Sequence, residues 1–152
     1  MEDYLANLTN EELEMLRASF FAQAFETLEL LNGEILKFEK NPEEIDVLKN
    51  IQRYVHTLKG DSASMGFSTL SETSHRLEDI LHMLREKKIC MDRDIGDILL
   101  SFVDASNQIL TDSREGKGDT ADTNVLIKRI DSYLNASDKG LGKNAAMQDN
   151  EF

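Results

Sequence analysis

The spacing of the apolar residues is the feature of this sequence that most constrains its fold. Along most of the chain they recur at steps of three and four, which places them on one face of an α-helix because the helix repeats every 3.6 residues. No segment alternates between apolar and polar residues for long enough to form a strand. In the first and longest segment the repeating positions are Leu13, Leu16, Phe20, Phe21, Ala24, Leu28, Leu31, Ile35 and Phe38. The pattern predicts an all-α fold that begins with a long helix.

Residues that favour helix ends divide the pattern into five predicted helices. Thr9 precedes Glu12 at the spacing of a capping box, and Pro42 suits the first position of a helix. The Gly-Lys-Gly segment at 116–118 is expected to end the fourth helix, and a shorter fifth helix is predicted over about 122–135. The residues expected to cap the first four helices at their N-termini are Thr9, Asn41, Ser68 and Asp92.

The other predicted helices carry apolar faces of the same kind. Helix two is expected to bury Ile45, Leu48, Ile51, Val55, Leu58 and Ser62. The expected face of helix three is Leu70, Thr73, Leu77, Ile80, Leu81 and Leu84. That of helix four is Ile95, Ile98, Leu99, Phe102, Val103, Ile109 and Leu110, and helix five contributes Val125, Leu126, Ile130, Tyr133 and Leu134.

Four long amphipathic helices with short connections pack well as an antiparallel four-helix bundle, to which the fifth helix is a C-terminal addition. After Asn135 the apolar residues become sparse. We therefore predict one four-helix-bundle domain over residues 1–135 and a flexible tail or linker over residues 136–152.

The charge balance excludes several classes of partner. The chain contains 29 acidic and 17 basic residues, for a formal net charge of −12. Nucleic acids and anionic membranes attract basic surfaces, so we expect neither as a partner. No window approaches the ~18 uninterrupted apolar residues of a spanning helix, so we predict no direct membrane contact. The single cysteine, Cys90, excludes an internal disulfide and favours a cytoplasmic location.

One side of helix two carries the candidate chemistry. His56 lies at the edge of the apolar face, with Gly60 one turn and Ala63 two turns further along the same side. Arg53 and Lys59 make this side basic in an otherwise acidic chain. A glycine inside a helix costs about 1 kcal/mol relative to alanine. Gly60 therefore leaves room for a second protein, allows a close helix–helix contact, or marks a helix end several residues before Gly66, and its position alone does not separate these interpretations.

Helix three supplies the polar groups that can act on this histidine. Glu78 is expected on its flank, where it can reach helix two. A carboxylate that accepts from Nδ1–H of His56 leaves Nε2 unprotonated and nucleophilic. Together with His75 and His82, Glu78 also has the composition of a metal site, but metal centres in bundles draw their ligands from several helices. We therefore predict no metal.

A longer motif carries a family resemblance. The sequence at 56–60 is His-Thr-Leu-Lys-Gly, followed by Gly-Phe at 66–67 and by His-x-x-Glu-Asp at 75–79. This combination resembles the histidine-containing phosphotransfer (HPt) domains, and most of all the N-terminal phosphotransfer domain of chemotaxis-type sensor kinases, the CheA family. In outline the resemblance extends over about residues 11–135.

The resemblance implies a role for each of several residues. His56 corresponds to the phosphorylated histidine and Glu78 to the carboxylate that orients its ring. Lys59 corresponds to a neighbour of the phosphoryl group and His75 to a polar neighbour of the site. Asp61 departs from the family, which has glycine, serine or alanine at that position.

The implied function is a step of two-component signalling. An ATP-dependent histidine kinase domain would phosphorylate the chain, and an aspartate of a response-regulator receiver domain would take the phosphoryl group. The sequence contains no glycine-rich phosphate loop or ATP-lid motif, so we expect no cofactor and assign ATP to a separate kinase domain. The chain is then a phospho-carrier. We expect it to be a fragment of a histidine kinase, and a free-standing relay protein is the alternative within the same function. The alternative is a non-catalytic helical interaction or assembly domain in which His56 is structural.

Overall fold

The computed structural model describes residues 5–117 and 123–138, and these residues form helices and no strands. The all-α prediction is therefore confirmed. The helices are α1 (Asn10–Lys40), α2 (Ile45–Ser64), α3 (Ser68–Arg85), α4 (Arg93–Arg114) and α5 (Asn124–Asp138).

The first four helices form a closed bundle. Helix α1 packs against α2 and α4, and α3 packs against the same two helices from the other side. The connections are short, so helices that follow each other in sequence are antiparallel neighbours, as predicted. Helix α5 lies outside this ring and packs against α3 and α4.

The predicted apolar faces of α3 and α4 are buried in full. The predicted face of α1 is buried from Phe20 onward, and that of α2 from Leu48 onward. Two predicted core positions are wrong, since Ile45 is 44% and Val125 is 70% exposed. Ile45 is the first residue of α2, and Val47 is buried in the first turn instead. Val125 lies about 100° around α5 from the buried Leu126, so it faces away from the bundle.

Two of the predicted N-terminal caps are confirmed. The Thr9 hydroxyl accepts from the Glu12 backbone N–H at 3.1 Å, and Asp92 Oδ1 accepts from the Ile95 N–H at 2.9 Å. The predicted start of α2 at Pro42 is wrong. Asn41 is used to end α1, because its N–H donates to the Lys37 carbonyl, and residues 41–44 form a turn before α2.

The predicted cap at Ser68 is also wrong, because Phe67 holds the N-cap position of α3 and Ser68 is its first residue. The preceding Gly66 has a φ of 81°, and the Phe67 N–H donates back to the Ser62 carbonyl at 2.8 Å. This left-handed turn, which favours glycine, reverses the chain in three residues. The Phe67 ring then packs on Phe20 and Phe21 of α1, with centroids 5.0 and 5.8 Å away. The turn and the aromatic contacts together fix how α3 lies against α2.

Polar contacts attach α5 to the bundle. Arg76 of α3 forms an ion pair with Asp131 at 3.1 Å, and the Tyr133 hydroxyl donates to Asp92 Oδ2 at 2.9 Å. Helix α5 ends at Asp138, three residues beyond the predicted boundary at Asn135. The rest of the predicted tail, residues 139–152, lies outside the described residues, as does Gly118 of the predicted α4 stop. The described part of that stop is confirmed, since α4 ends at Arg114 and Gly116 has a φ of 81°.

Candidate functional site

The packing of α2 against α3 brings His56 to Glu78, which lies 22 residues further along the chain. Nδ1 of His56 is 2.8 Å from Oε2 of Glu78. The His56 side chain is 69% exposed and that of Glu78 is 24% exposed, so a largely covered carboxylate holds a ring that stands in solvent. This is the contact that the sequence predicted.

The second oxygen of the same carboxylate is bound by Lys59. Its Nζ lies 2.6 Å from Glu78 Oε1, so the two oxygens of Glu78 are divided between two donors of α2. Burial raises the pKa of Glu78, but the hydrogen bonds from Lys59 and His56 outweigh it and hold the pKa below the ordinary value of 4.5. An ionised carboxylate only accepts, so Nδ1 of His56 carries the proton and Nε2 of the neutral ring has a free electron pair.

Of the other basic residues singled out from the sequence, only His75 is close to Glu78 in the part of the chain that the structure describes. Nδ1 of His75 is 3.9 Å from Glu78 Oε1, and its side chain is 65% exposed. Arg53 is exposed on α2, with its guanidinium 5.2 Å from the centroid of the Tyr54 ring. His82, which the sequence grouped with His75 and Glu78, is instead paired with Glu86 at 2.8 Å. In residues 5–117 and 123–138 no three His, Cys, Asp or Glu side chains are placed to hold a metal ion.

Gly60 faces open space. A Cβ built on this residue would meet no atom of residues 5–117 and 123–138 within 4 Å, so the interpretation of Gly60 as a close contact between these helices is wrong. The helix continues to Ser64, so Gly60 does not end it either. Gly60 and Ala63 are exposed and contribute to an open groove of about 630 Å³ between α2 and α3. The groove is lined by Lys59, Gly60, Ala63, Gly66, Ser68, Ser71, Glu72 and His75.

Sequence reasoning missed one wall of this groove. Ser68, Ser71 and Glu72 belong to the first turns of α3, and none was singled out as a site residue. They follow His56 by 12 to 16 residues, and nothing in that spacing indicates that they lie beside the site. They reach the site because the chain reverses at Gly66, so only the geometry of that turn reveals them.

Over residues 5–117 and 123–138, no helix combines the length and the apolar character needed to cross a bilayer.

Comparison with known proteins agrees with this geometry. The family model for the Hpt domain matches residues 15–113. The chain therefore belongs to the Hpt family, the histidine-containing phosphotransfer domains.

The relatives narrow the class to the CheA type. The chain is 38% identical over 138 residues to the chemotaxis protein CheA of Treponema pallidum, which covers 90% of the chain and 16% of that protein. It is 33% identical over 110 residues to the sensor histidine kinase CheAY of Helicobacter pylori, covering 72% of the chain and 14% of the relative. The chain thus spans about one sixth of the length of these relatives or less.

Solved structures give the same result. The CheA phosphotransferase domain from Thermotoga maritima is 34% identical with a TM-score of 0.63, covering 66% of this chain and 95% of that one. A solution structure of the histidine phosphotransfer domain of CheA is 30% identical with a TM-score of 0.72, covering 83% and 93%. The phosphorylated P1 domain of CheA3 in complex with CheY6 from R. sphaeroides has a TM-score of 0.73 at 21% identity, covers 81% and 98%, and shows the shared fold alone.

Proposed function

We propose that His56 is the phosphoryl acceptor of this module, in a bacterial chemotaxis-type two-component pathway. An ATP-dependent histidine kinase domain supplies the phosphoryl group, and an aspartate of a response-regulator receiver domain takes it away. The observation that carries the proposal is the 2.8 Å contact between Nδ1 of His56 and Glu78, made by a ring that is 69% exposed. A purely structural histidine has no need of an exposed ring whose second nitrogen is left open.

Neither transfer step requires a proton to leave or enter the His56 ring. In the first step the electron pair of Nε2 attacks the γ-phosphorus of ATP, the bond from that phosphorus to the bridging oxygen breaks, and ADP leaves. Nδ1 keeps its proton, so the phosphorylated ring is cationic and the Glu78 carboxylate stabilises it. In the second step a carboxylate oxygen of the receiver attacks the phosphorus, the P–N bond breaks, and its electron pair returns to Nε2. Positioning therefore supplies most of what this domain contributes.

Lys59 and His75 support this step in different ways. The Lys59 ammonium has three donors, so the bond to Glu78 leaves it able to contact a phosphoryl group as well. His75 adds a second polar group beside the carboxylate. Arg53, Gly60 and Ala63 present the surface on which the partner domains dock, and Gly60 leaves that surface free of side-chain bulk.

The partners and the location complete the proposal. ATP binds to the kinase domain and not to this chain, which acts as a carrier without a cofactor or metal of its own. The acidic composition argues against nucleic acid as a partner. The single cysteine supports a cytoplasmic location and remains the basis for that prediction.

Substitution of the acceptor tests the proposal directly. We expect His56→Gln to abolish phosphate uptake from a CheA-type kinase domain with ATP, because the nucleophile is removed while the exposed position tolerates glutamine. The measurement is radiolabel that is labile in acid and stable in alkali, with circular dichroism to confirm the fold. His82→Gln is the matched control and should retain labelling, because His82 is paired with Glu86 and not with the site. Equal labelling of His56→Gln and the wild type would show that another residue is the acceptor. A wild-type chain that takes up no label would favour the non-catalytic assembly domain.

A further inference from the structure

One acidic side chain lines the groove beside the acceptor site, and it is Glu72. Its side chain is exposed, and within residues 5–117 and 123–138 it has no ion-pair or hydrogen-bond partner. Glu78 lies on the same helix and is in the opposite situation, because both of its oxygens are bound. The carboxylate that binds His56 is therefore satisfied, whereas the one that lines the groove is open to a partner.

Glu72 has no evident role in the folded chain by itself. It is the fifth residue of α3, and a carboxylate stabilises a helix N-terminus mainly from the first turn. Its exposure excludes a part in the core. The surrounding groove residues, Gly66, Ser68 and Ser71, are small, so they leave the carboxylate accessible from outside.

Phosphoryl transfer brings a second protein over this groove. Gly60 and Ala63 lie one and two turns from His56 on the same side of α2 and form the opposite wall. A domain that reaches Nε2 of His56 from this side covers them and excludes water from the groove. Covering an unpaired carboxylate is strongly unfavourable unless the incoming surface supplies a positive charge or hydrogen-bond donors. A partner surface without a positive charge or hydrogen-bond donors binds weakly, because it would leave the Glu72 carboxylate buried and unpaired.

We infer that Glu72 is a specificity-determining residue, which pairs with a cationic side chain of the receiver domain that docks on this groove. The inference rests on the proposed function, since it concerns the second partner of the same site. Lysine or arginine on the docking face of the receiver is the chemistry that Glu72 recognises.

The receiver is the partner for which such selection matters. The match covers 14% of the relative named sensor histidine kinase CheAY, so in a protein of that kind the kinase domain belongs to the same polypeptide. A tethered domain reaches the site at millimolar effective concentration and needs few contacts of its own. A receiver is a separate molecule that has to be distinguished from other receivers by the surface that it presents. Selection by charge pairing at Glu72 therefore acts on the second transfer step.

The experiment compares two glutamate-to-glutamine variants of the chain. Glu72→Gln removes the charge in the groove, and Glu29→Gln removes an exposed charge of α1 as the matched control. Each variant is phosphorylated by the kinase domain with ATP and then mixed with the receiver of the same pathway. We expect phosphorylation of both variants within about twofold of the wild type, while kcat/KM for transfer to the receiver falls about tenfold or more in Glu72→Gln alone. Glu72→Lys should lower kcat/KM for this transfer further.

The salt dependence of transfer between about 50 and 500 mM NaCl should be weaker in Glu72→Gln than in the wild type, because one ion pair is missing.

Two outcomes overturn the inference. The first is transfer from Glu72→Gln to the receiver at the rate measured for Glu29→Gln. The second is an equal loss of kinase uptake and receiver transfer in Glu72→Gln, which would place its effect on His56 and not on the receiver. Failure of the proposed function is seen earlier and separately, because a wild-type chain that takes up no phosphoryl group is detected before any receiver is added, and it overturns both.

Discussion

Two carboxylates of this domain are bound in nearly the same way and serve different ends. Glu78 divides its oxygens between His56 at 2.8 Å and Lys59 at 2.6 Å. Asp92 divides its oxygens between the Ile95 backbone N–H and the Tyr133 hydroxyl, each at 2.9 Å. Both therefore accept two hydrogen bonds and connect separate helices.

The donors make the difference between the two regions. An amide N–H and a phenol hydroxyl each have a single proton, so their donor capacity is used once they are bound to Asp92. The His56 ring, in contrast, retains a second nitrogen, and Lys59 retains two further donors. Burial and the hydrogen bond to Asp92 raise the pKa of Tyr133, so its hydroxyl stays protonated and keeps the contact. The α4–α5 region thus stabilises the fold, whereas the α2–α3 region retains capacity for chemistry.

The largest expected effect is on the rate of His56 phosphorylation, and it comes from removing the Glu78 carboxylate of the α2–α3 region. Glu78→Ala should slow phosphorylation of His56 by about tenfold or more, because both tautomers of the ring become populated and only one presents a free Nε2. The free energy of unfolding should fall by only ~1 kcal/mol, as for other partly exposed hydrogen bonds. Nitrogen NMR shifts of the imidazole and the rate of labelling measure the two effects. An unchanged tautomer ratio would remove Glu78 from the mechanism.

Removing the Asp92 carboxylate of the α4–α5 region should have the opposite pattern of effects, a larger loss of stability and little change in phosphorylation. Asp92→Ala removes an N-terminal cap and the acceptor of the Tyr133 hydroxyl, so we expect it to lower the free energy of unfolding by about 2 kcal/mol. Phosphorylation of His56 under native conditions should change by less than about twofold, because Asp92 is bound to α4 and α5 and not to the site. Urea denaturation and labelling measure these quantities. Tyr133→Phe, which leaves the cap in place, should cost only ~1 kcal/mol. Equal losses in the two variants would contradict the assigned cap.

A pair of helical glycines gives a smaller contrast. At Gly60 an added Cβ meets no atom within 4 Å, whereas at Gly96 it would lie 2.8 Å from Glu39 Oε2. Gly60→Ala should therefore stabilise the domain by the full helix-propensity gain of ~1 kcal/mol, and Gly96→Ala by less because Glu39 has to move. Thermal unfolding of the two variants tests this order. Gly60→Leu should in addition slow transfer in both directions, and unchanged rates would mean that partner domains do not approach over Gly60.

The smallest effect concerns pH. Because the pKa of Glu78 is below its ordinary value in the folded chain, its ionised form favours folding at pH values above about 4.5, and this contribution is lost as the pH falls through the lowered value. The difference in unfolding free energy between the wild type and Glu78→Gln should therefore shrink on acidification below about pH 4.5. Denaturation curves at pH 7 and at stepwise lower pH measure it. A constant difference over that range would show that Glu78 is not stabilised as an anion.

Comparison of the sequence predictions with the structure separates local from non-local information. The apolar faces of α3 and α4 and the caps Thr9 and Asp92 were predicted correctly, because helical periodicity and capping depend on residues within a few positions of each other. Two of the errors occurred where longer-range contacts decide. Ser68 is not a cap because Phe67 is held by α1, and Val125 is not buried because α5 presents another face to α3 and α4.

The sequence by itself determined the helices, the closed bundle and, through a motif that marks the family, the pair of His56 and Glu78 that the structure brings into contact. Only the tertiary structure decided that Lys59 takes the second oxygen of Glu78, that Gly60 faces open space and that Glu72 stands on the wall of the groove. The physical reason is the turn at Gly66 and the packing of Phe67 on Phe20 and Phe21, which set the register of α3 against α2. Side chains on two helices meet according to that register, and no spacing within either helix encodes it.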